Sequence, residues 1–196
     1  MDEDTIFRIL FLAVYAVFFA IRMRFRVPSA RRTPERREEF MTKATVFLVF
    51  AILSYLSTVI LYLLALPWIE WSYVALPSLL RWIGIFFAGL SVILVGWIHV
   101  NLGRQYSAEL AIQEEHALIT TGPYSRTRHP MYTVLNMFSI SLSITTASLL
   151  VMLFAVLVAI PFPWIARMEE EMLLKEFGSE YQEYMDRTGR FFPRLR

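Results

Sequence analysis

The sequence lacks cysteine and contains little charge, and each absence excludes whole classes of protein. With no cysteine among 196 residues, the chain has no thiolate metal ligand, no thiol nucleophile and no disulfide framework. Charged residues make up 18% of the chain and hydrophobic residues 57%, whereas soluble domains have about 25% charged residues. This composition excludes a disordered or collagen-like chain. A net charge of only +2 gives no reason to expect a nucleic-acid partner.

Long uncharged stretches predict an all-α integral membrane protein. Residues 44–69 and 82–103 contain no Asp, Glu, Lys or Arg, and each supplies the roughly 20 residues that a membrane-spanning helix needs. A shorter apolar segment, residues 9–21, follows an acidic start and is not followed by a typical cleavage site, which argues against a signal peptide. We therefore predict three spanning helices in the first half of the chain.

A third uncharged stretch, residues 130–166, is too long for one crossing. Its central 35 residues, 131–165, would form a helix of about 52 Å, whereas the hydrocarbon core is about 30 Å thick. Small and hydroxylated residues at 141–148 suit the tip of a helical hairpin. We predict two helices, 131–144 and 148–166, with the second continuing beyond the membrane, and hence five crossings. One tilted helix with a polar patch is the alternative.

The positions of lysine and arginine predict the orientation of the chain. Residues 22–43, 103–128 and 167–196 hold eight, three and six of the 19 basic residues, and five crossings place all three segments on one side. Because cytoplasmic segments carry an excess of Lys and Arg, we expect the N-terminus outside and the C-terminus in the cytoplasm. Residues 1–196 are predicted to form a single membrane domain.

Two cytoplasmic segments concentrate the residues that carry chemistry. Residues 116–132 contain two histidines and two tyrosines, and the tail that begins at Arg167 contains Glu169 and Glu170. Histidine and arginine suit a carboxylate, a glutamate suits a ribose diol or an ammonium group, and turn amides suit a flat base. Together they predict a cytoplasmic site for a polar, multiply charged small molecule.

Simpler interpretations of the same residues stay open. Two histidines without a well-placed third ligand are weak evidence for a metal site, and we expect no metal. The acidic run 169–171 has the pattern of a solvent-exposed helix face. No glycine-rich phosphate fingerprint is present, which argues against a Rossmann or P-loop nucleotide site.

The combined pattern of residues 102–193 resembles the isoprenylcysteine carboxyl methyltransferase family, whose wider group includes the phospholipid N-methyltransferases. In the first segment the resemblance rests on His116-x-Leu118, Gly122-Pro123-Tyr124 and Arg128-His129-Pro130-x-Tyr132. In the tail it rests on Glu169-Glu170-x-x-Leu173, Phe177-Gly178, Tyr181 and Tyr184.

The resemblance implies a membrane enzyme that uses S-adenosylmethionine, with S-adenosylhomocysteine as product, and whose catalytic half is residues 103–196. It implies that the cofactor is bound by His116, Ala117, Leu118, Ile119, Gly122, Tyr124, His129, Pro130, Met131, Tyr132, Glu169 and Glu170. For catalysis it implies Tyr132, at the methyl-transfer opening, and Arg167, which would orient the acceptor.

The favoured acceptor is an isoprenylcysteine-like lipophilic carboxylate that enters from the bilayer. A carboxylate is already ionised at pH 7 and needs no general base, and the sequence contains no clear dedicated base. Phospholipid N-methylation and thiol methylation are the alternatives on the same scaffold. A nucleoside-binding transporter or sensor is the alternative outside enzymes, although the second, fourth and fifth predicted helices lack the mid-membrane ionisable residues of transporters.

Overall fold

A computed structural model of the protein describes residues 2–25, 43–102 and 118–194. These residues form helices and contain no extended β-strand, as predicted. The helices are α1 (Glu3–Arg24), α2 (Lys43–Leu63), α3 (Ser78–Leu102), α4 (Pro130–Thr146), α5 (Leu149–Ala159), α6 (Phe162–Phe177) and α7 (Ser179–Arg187). Within the described residues, two short 3₁₀ helices, Pro67–Ser72 and Gly122–Ser125, lie in the connections.

Four helical segments within the described residues are long and apolar enough to cross a bilayer. They are α1, α2, α3 and the segment Leu149–Phe177, which comprises α5 and α6. Helix α4 has 17 residues and a length of about 26 Å, which is at the lower end of the range for a spanning helix. The structure is therefore that expected of an all-α membrane protein, and a fifth crossing by α4 stays a prediction.

The predicted helical hairpin is formed by α4 and α5. Helix α4 ends at Thr146, and Ala147 adopts a left-handed conformation with φ of 52°. The Ser148 side chain then accepts a hydrogen bond from the Val151 amide and so caps the N-terminus of α5. The two helices pack against each other, so the alternative of one uninterrupted tilted helix is wrong.

The helix predicted to continue from residue 148 past the membrane is interrupted. Helix α5 ends at Ala159 and α6 begins at Phe162. Pro161 and Pro163 carry no amide hydrogen, so they cannot donate the hydrogen bonds that would continue the α-helix through this point. Helix α6, which starts anew here, carries Glu169 and Glu170.

The contact between α3 and α4 is the most extensive in the bundle. A Cβ atom on Gly84 would lie 2.7 Å from both the Ser141 carbonyl oxygen and the Thr145 hydroxyl. Only glycine therefore permits the two backbones to approach this closely. Helix α1 packs on α3, and α2 packs on α5, around a core that includes Phe11, Tyr62, Phe138 and Leu142.

Polar contacts attach the tip of the hairpin to the first turn of α3 and to the connection between α2 and α3. The Arg81 Nε atom donates to the Thr145 carbonyl at 3.0 Å, and its Nη1 atom donates to Asp4 at 2.6 Å. The hydroxyls of Ser72 and Ser148 lie 3.0 Å apart. The C-terminus of α4 therefore lies at the α2–α3 end of the bundle, and the residues that precede α4 lie at the opposite end.

The number of crossings can be tested with single cysteines in a chain that has none of its own. Glu70→Cys, in the α2–α3 connection, and Ser179→Cys, at the start of α7, are both at exposed positions. With five crossings, a membrane-impermeant maleimide added outside intact cells labels Glu70→Cys and leaves Ser179→Cys unmodified until the cells are lysed. Labelling of both positions from the same side would show that α4 does not cross.

Candidate active site

Three segments that are far apart in sequence meet at the N-terminal end of α4. Two backbone amides before α4 donate to the tail, Arg128 to the Gly189 carbonyl and His129 to the Arg190 carbonyl, both at 2.9 Å. In return the Gly189 amide donates to the Arg126 carbonyl at 3.1 Å. These hydrogen bonds fix the C-terminal tail beside the loop, and both segments lie against α6.

Glu170 of α6 lies at the centre of this junction and is only 3% exposed. Arg128 donates from Nε to its Oε1 atom at 2.7 Å, and Arg190 donates from Nε to its Oε2 atom at 3.1 Å. The His129 Nε2 atom lies 3.3 Å from Oε1. Both carboxylate oxygens therefore have charged partners, which is the condition under which a buried carboxylate stays ionised.

Arg128 also binds the C-terminal end of α7. Its Nη1 atom donates to the carbonyls of Thr188 at 2.6 Å and Met185 at 3.1 Å. The last carbonyls of a helix lack partners within the helix, and a cation at that end also interacts favourably with the helix dipole. Arg128 thus joins the loop, α6 and α7 through a single guanidinium.

Glu169, the neighbour of Glu170, has a different environment. Its carboxylate accepts a hydrogen bond from the Tyr132 hydroxyl at 2.6 Å and lies 3.1 Å from the His129 Nδ1 atom. Its side chain is 26% exposed, against 4% for Glu170. No arginine or lysine of the described residues forms an ion pair with it. Glu169 is therefore oriented by its neighbours and retains a surface that a ligand can contact.

His129 connects the two glutamates. Burial opposes its charged form, but the hydrogen bonds with Glu169 and Glu170 outweigh that effect and raise the pKa of His129 above its ordinary value of 6.5. An imidazole with a carboxylate at each nitrogen donates through both, as the protonated ring does. Its ring stacks on that of Tyr132 with centroids 5.6 Å apart. Pro130 follows at the first position of α4, where it needs no amide hydrogen.

The segment before His129 is attached to α3 and α7. Gly122 has φ of 57°, and a Cβ atom there would lie 2.2 Å from the Asn101 Oδ1 atom at the end of α3. Glycine is required at this position because it readily adopts a positive φ and has no Cβ atom to overlap Asn101. The Tyr124 carbonyl accepts a hydrogen bond from the Tyr184 hydroxyl at 2.7 Å. This segment also contains two half-buried residues of the predicted cofactor set, Leu118 and Ile119.

The other predicted site residues are distributed around this junction. Met131 is half-buried on α4, with its sulfur 3.6 Å from the Arg22 Nη1 atom. His116 and Ala117 lie outside the described residues. Arg167 is exposed on α6, one turn before Glu170.

Sequence reasoning did not identify Arg190, which the structure places against Glu170. The segment Thr188-Gly189-Arg190-Phe191 has no periodicity and no motif of its own. The only available signal was the requirement that a buried glutamate near the end of a helix have cationic partners. That requirement does not indicate which of the many arginines supplies them.

Comparison with known proteins identifies the family. Residues 79–180 match the phospholipid methyltransferase family, which is more than half of the chain and runs from α3 into α7. The chain belongs to the phospholipid methyltransferase family. The matched region includes His129, Tyr132, Glu169 and Glu170 and ends before Arg190. The expected relation to the wider membrane methyltransferase group is confirmed, while membership of the isoprenylcysteine carboxyl methyltransferases stays a prediction.

Two curated relatives of this phospholipid methyltransferase family member are named for metal resistance. The nickel-cobalt-cadmium resistance protein NccN of Alcaligenes xylosoxydans xylosoxydans is 34% identical over 112 residues, which cover 54% of this chain and 50% of that protein. The cobalt-zinc-cadmium resistance protein CzcN of Cupriavidus metallidurans is 37% identical over 121 residues, which cover 59% and 55%. The chain thus spans about half the length of the curated relatives it matches.

The different environments of the two glutamates lead to a prediction for stability. Glu170→Gln leaves the guanidiniums of Arg128 and Arg190 without their shared anion, and breaking such a buried pair costs about 3–5 kcal/mol. We expect a clear fall in the thermal unfolding temperature of the detergent-solubilised protein. Glu171→Gln is the matched control because Glu171 is exposed on the same helix, where substitutions change stability by about 0.5 kcal/mol or less. Equal unfolding temperatures for the two variants would contradict a structural role for Glu170.

Proposed function

We propose that this family member is a membrane methyltransferase that uses S-adenosylmethionine and binds it at Glu169, His129 and Tyr132. The observation that carries the proposal is the difference between the adjacent glutamates. Glu170 has all its oxygens in contact with charged donors, whereas Glu169 is oriented but not neutralised by an arginine. An oriented, partly exposed carboxylate suits the ammonium group or the ribose hydroxyls of the donor molecule.

The rest of the proposed cofactor site lies on the segment that leads into α4. This segment is attached to α3 through Gly122 and to α7 through Tyr124, and it leads to His129, which contacts Glu169. We assign the remaining contacts to His116, Ala117, Leu118, Ile119, Pro130 and Met131. In this arrangement Glu170 acts on the cofactor through His129, because its own oxygens are engaged.

Calorimetry with S-adenosylhomocysteine tests the cofactor site. Glu169→Gln removes the charge and preserves the shape, so the affinity is expected to fall about 10- to 100-fold, the usual effect of losing a charge-assisted hydrogen bond. Glu171→Gln, one residue along α6 and exposed, is expected to bind like wild type. If a folded Glu169→Gln protein binds with unchanged affinity, Glu169 simply lies on a partly exposed face of the helix and does not bind the cofactor.

The reaction requires alignment and exclusion of water more than proton transfer. When bound, the donor would supply a methyl group on a positively charged sulfur, and the sulfur would leave as the thioether while the acceptor bonds to the methyl carbon in line. The stacked rings of Tyr132 and Phe162 form an apolar wall at the start of α4. That wall keeps water from one side of the site, and the Tyr132 hydroxyl holds Glu169 in place.

We propose that the acceptor is an isoprenylcysteine-like carboxylate that reaches the site from the bilayer. The two carboxylates of the site have donors of their own, so neither is arranged as a base for an ammonium or thiol acceptor. A carboxylate acceptor needs no base. Arg167, exposed on α6 one turn before Glu170, is the cation that we propose orients it. The family's phospholipid substrates and small thiols are the alternative acceptors.

A panel of acceptors separates these possibilities. With labelled S-adenosylmethionine, purified protein is expected to methylate prenylcysteines faster than phosphatidylethanolamines or thiols. Arg167→Ala should lower turnover at least tenfold and leave S-adenosylhomocysteine affinity unchanged. Arg167→Lys should recover only part of the turnover, because an ammonium does not reproduce a two-pronged guanidinium contact.

The panel has outcomes that overturn the proposal. Preferred transfer to phosphatidylethanolamine would make this protein a phospholipid N-methyltransferase. Normal turnover in Arg167→Ala would show that Arg167 does not orient the acceptor and that its side chain only extends to the membrane surface. Binding of the nucleoside without transfer to any acceptor would favour a transporter or sensor.

The names of the two relatives raise the question of metal resistance. Among the described residues there is no group of three His, Asp or Glu side chains placed to hold a metal ion. We propose that any part this protein has in metal resistance is indirect and operates through the methylated product. Addition of Ni²⁺, Co²⁺ or Cd²⁺ should then leave the unfolding temperature unchanged.

A further inference from the structure

We propose that Arg190, in the C-terminal tail, is a positioning residue for the cofactor site. This inference rests on the proposed function and names a part of that site that neither the sequence motifs nor the family match includes. Arg190 does not contact Glu169, so its action is relayed through Glu170 and His129. Four features of the structure carry the inference.

The first feature is that Arg190 holds both partners of the contact between His129 and Glu170. Its backbone carbonyl accepts a hydrogen bond from the His129 amide at 2.9 Å. Its guanidinium donates from Nε and Nη2 to the Glu170 carboxylate. Arg190 therefore positions the His129 backbone and, together with Arg128, the carboxylate that contacts the His129 ring.

The second feature is the relay from Glu170 to Glu169. Glu170 meets the imidazole at Nε2, and Glu169 meets the same imidazole at Nδ1. Because an imidazole ring is rigid, a carboxylate fixed at one nitrogen determines the direction of the other nitrogen. Release of Glu170 therefore changes the orientation of the ring that holds Glu169.

The third feature distinguishes Arg190 from Arg128, the other arginine on Glu170. The Arg128 side chain is 9% exposed, and it also binds the carbonyls at the end of α7. The Arg190 side chain is 33% exposed, and within the described residues its guanidinium contacts only Glu170. Removal of Arg128 thus disrupts the packing of α7, whereas removal of the Arg190 guanidinium takes away a direct contact of the Glu170 carboxylate only.

The fourth feature is that the tail stays attached without the Arg190 side chain. The backbone hydrogen bonds of Gly189 and Arg190 do not involve the guanidinium. Thr133 further donates from its hydroxyl to the Phe191 carbonyl at 2.8 Å. A substitution of the Arg190 side chain therefore tests positioning without detaching the tail.

The test is a double-mutant cycle on S-adenosylhomocysteine affinity, with wild type, Glu169→Gln, Arg190→Gln and the double variant. If Arg190 acts through Glu169, each single variant binds about tenfold more weakly, and the double variant is no weaker than the weaker single variant. Independent effects would multiply to about 100-fold instead. Arg190→Lys restores the charge without the two-pronged contact, so only part of the loss should be recovered.

Arg194→Gln is the matched control, because Arg194 is exposed in the same tail and its described contact is with the Asp186 backbone. Its affinity is expected to equal that of wild type. Thermal unfolding of Arg190→Gln should stay within a few degrees of wild type, well separated from that of Glu170→Gln.

The outcomes separate this inference from the proposed function. If Glu169→Gln weakens binding and Arg190→Gln does not, or if the two effects multiply, the positioning role is wrong and the cofactor site stands. If Glu169→Gln binds normally, the cofactor site itself is wrong. A large fall in unfolding temperature for Arg190→Gln would show that Arg190 is a structural residue, which also overturns the inference.

Discussion

The site depends on one buried carboxylate held between two guanidiniums. Glu170 comes from α6, Arg128 from the loop before α4, and Arg190 from the tail after α7. In an apolar surrounding, an unpaired carboxylate is costly, so the three segments are most stable when they meet. Their meeting also brings the His129 ring between two glutamates and attaches the tail after α7 to the start of α4.

Contacts at the opposite end of the bundle fix the position of α4. Arg81 binds both the last turn of α4 and the start of α1, and Gly84 lets α3 and α4 approach closely along their length. Since α4 is a rigid rod of about 26 Å, fixing its C-terminal end and its contact with α3 also fixes its N-terminal end. His129 and Tyr132 therefore occupy a defined place beside α6, where they contact Glu169 and Glu170.

Two adjacent glutamates acquire different chemical roles because neighbouring residues on a helix point about 100° apart. Glu170 points toward the loop and the tail and is neutralised there. Glu169 points toward Tyr132 and a partly open surface. The residues matched to the phospholipid methyltransferase family include both glutamates but not Arg190, so one of the two guanidiniums on Glu170 comes from outside the matched region.

The sequence by itself determined the class of the protein and predicted a candidate site around His129 and Glu169. Uncharged runs and helical hairpin signals are local, so they predicted the all-α membrane architecture and the reversal near Ala147, and the paired motifs around His129 and Glu169 predicted which residues come together. Only the tertiary structure separated Glu169 from Glu170, placed Arg190 beside Glu170 and left Arg167 exposed. The reason is physical. Which of two neighbouring carboxylates is buried, and which arginine neutralises it, depends on contacts between segments about 20 to 60 residues apart, and no local pattern in the chain encodes them.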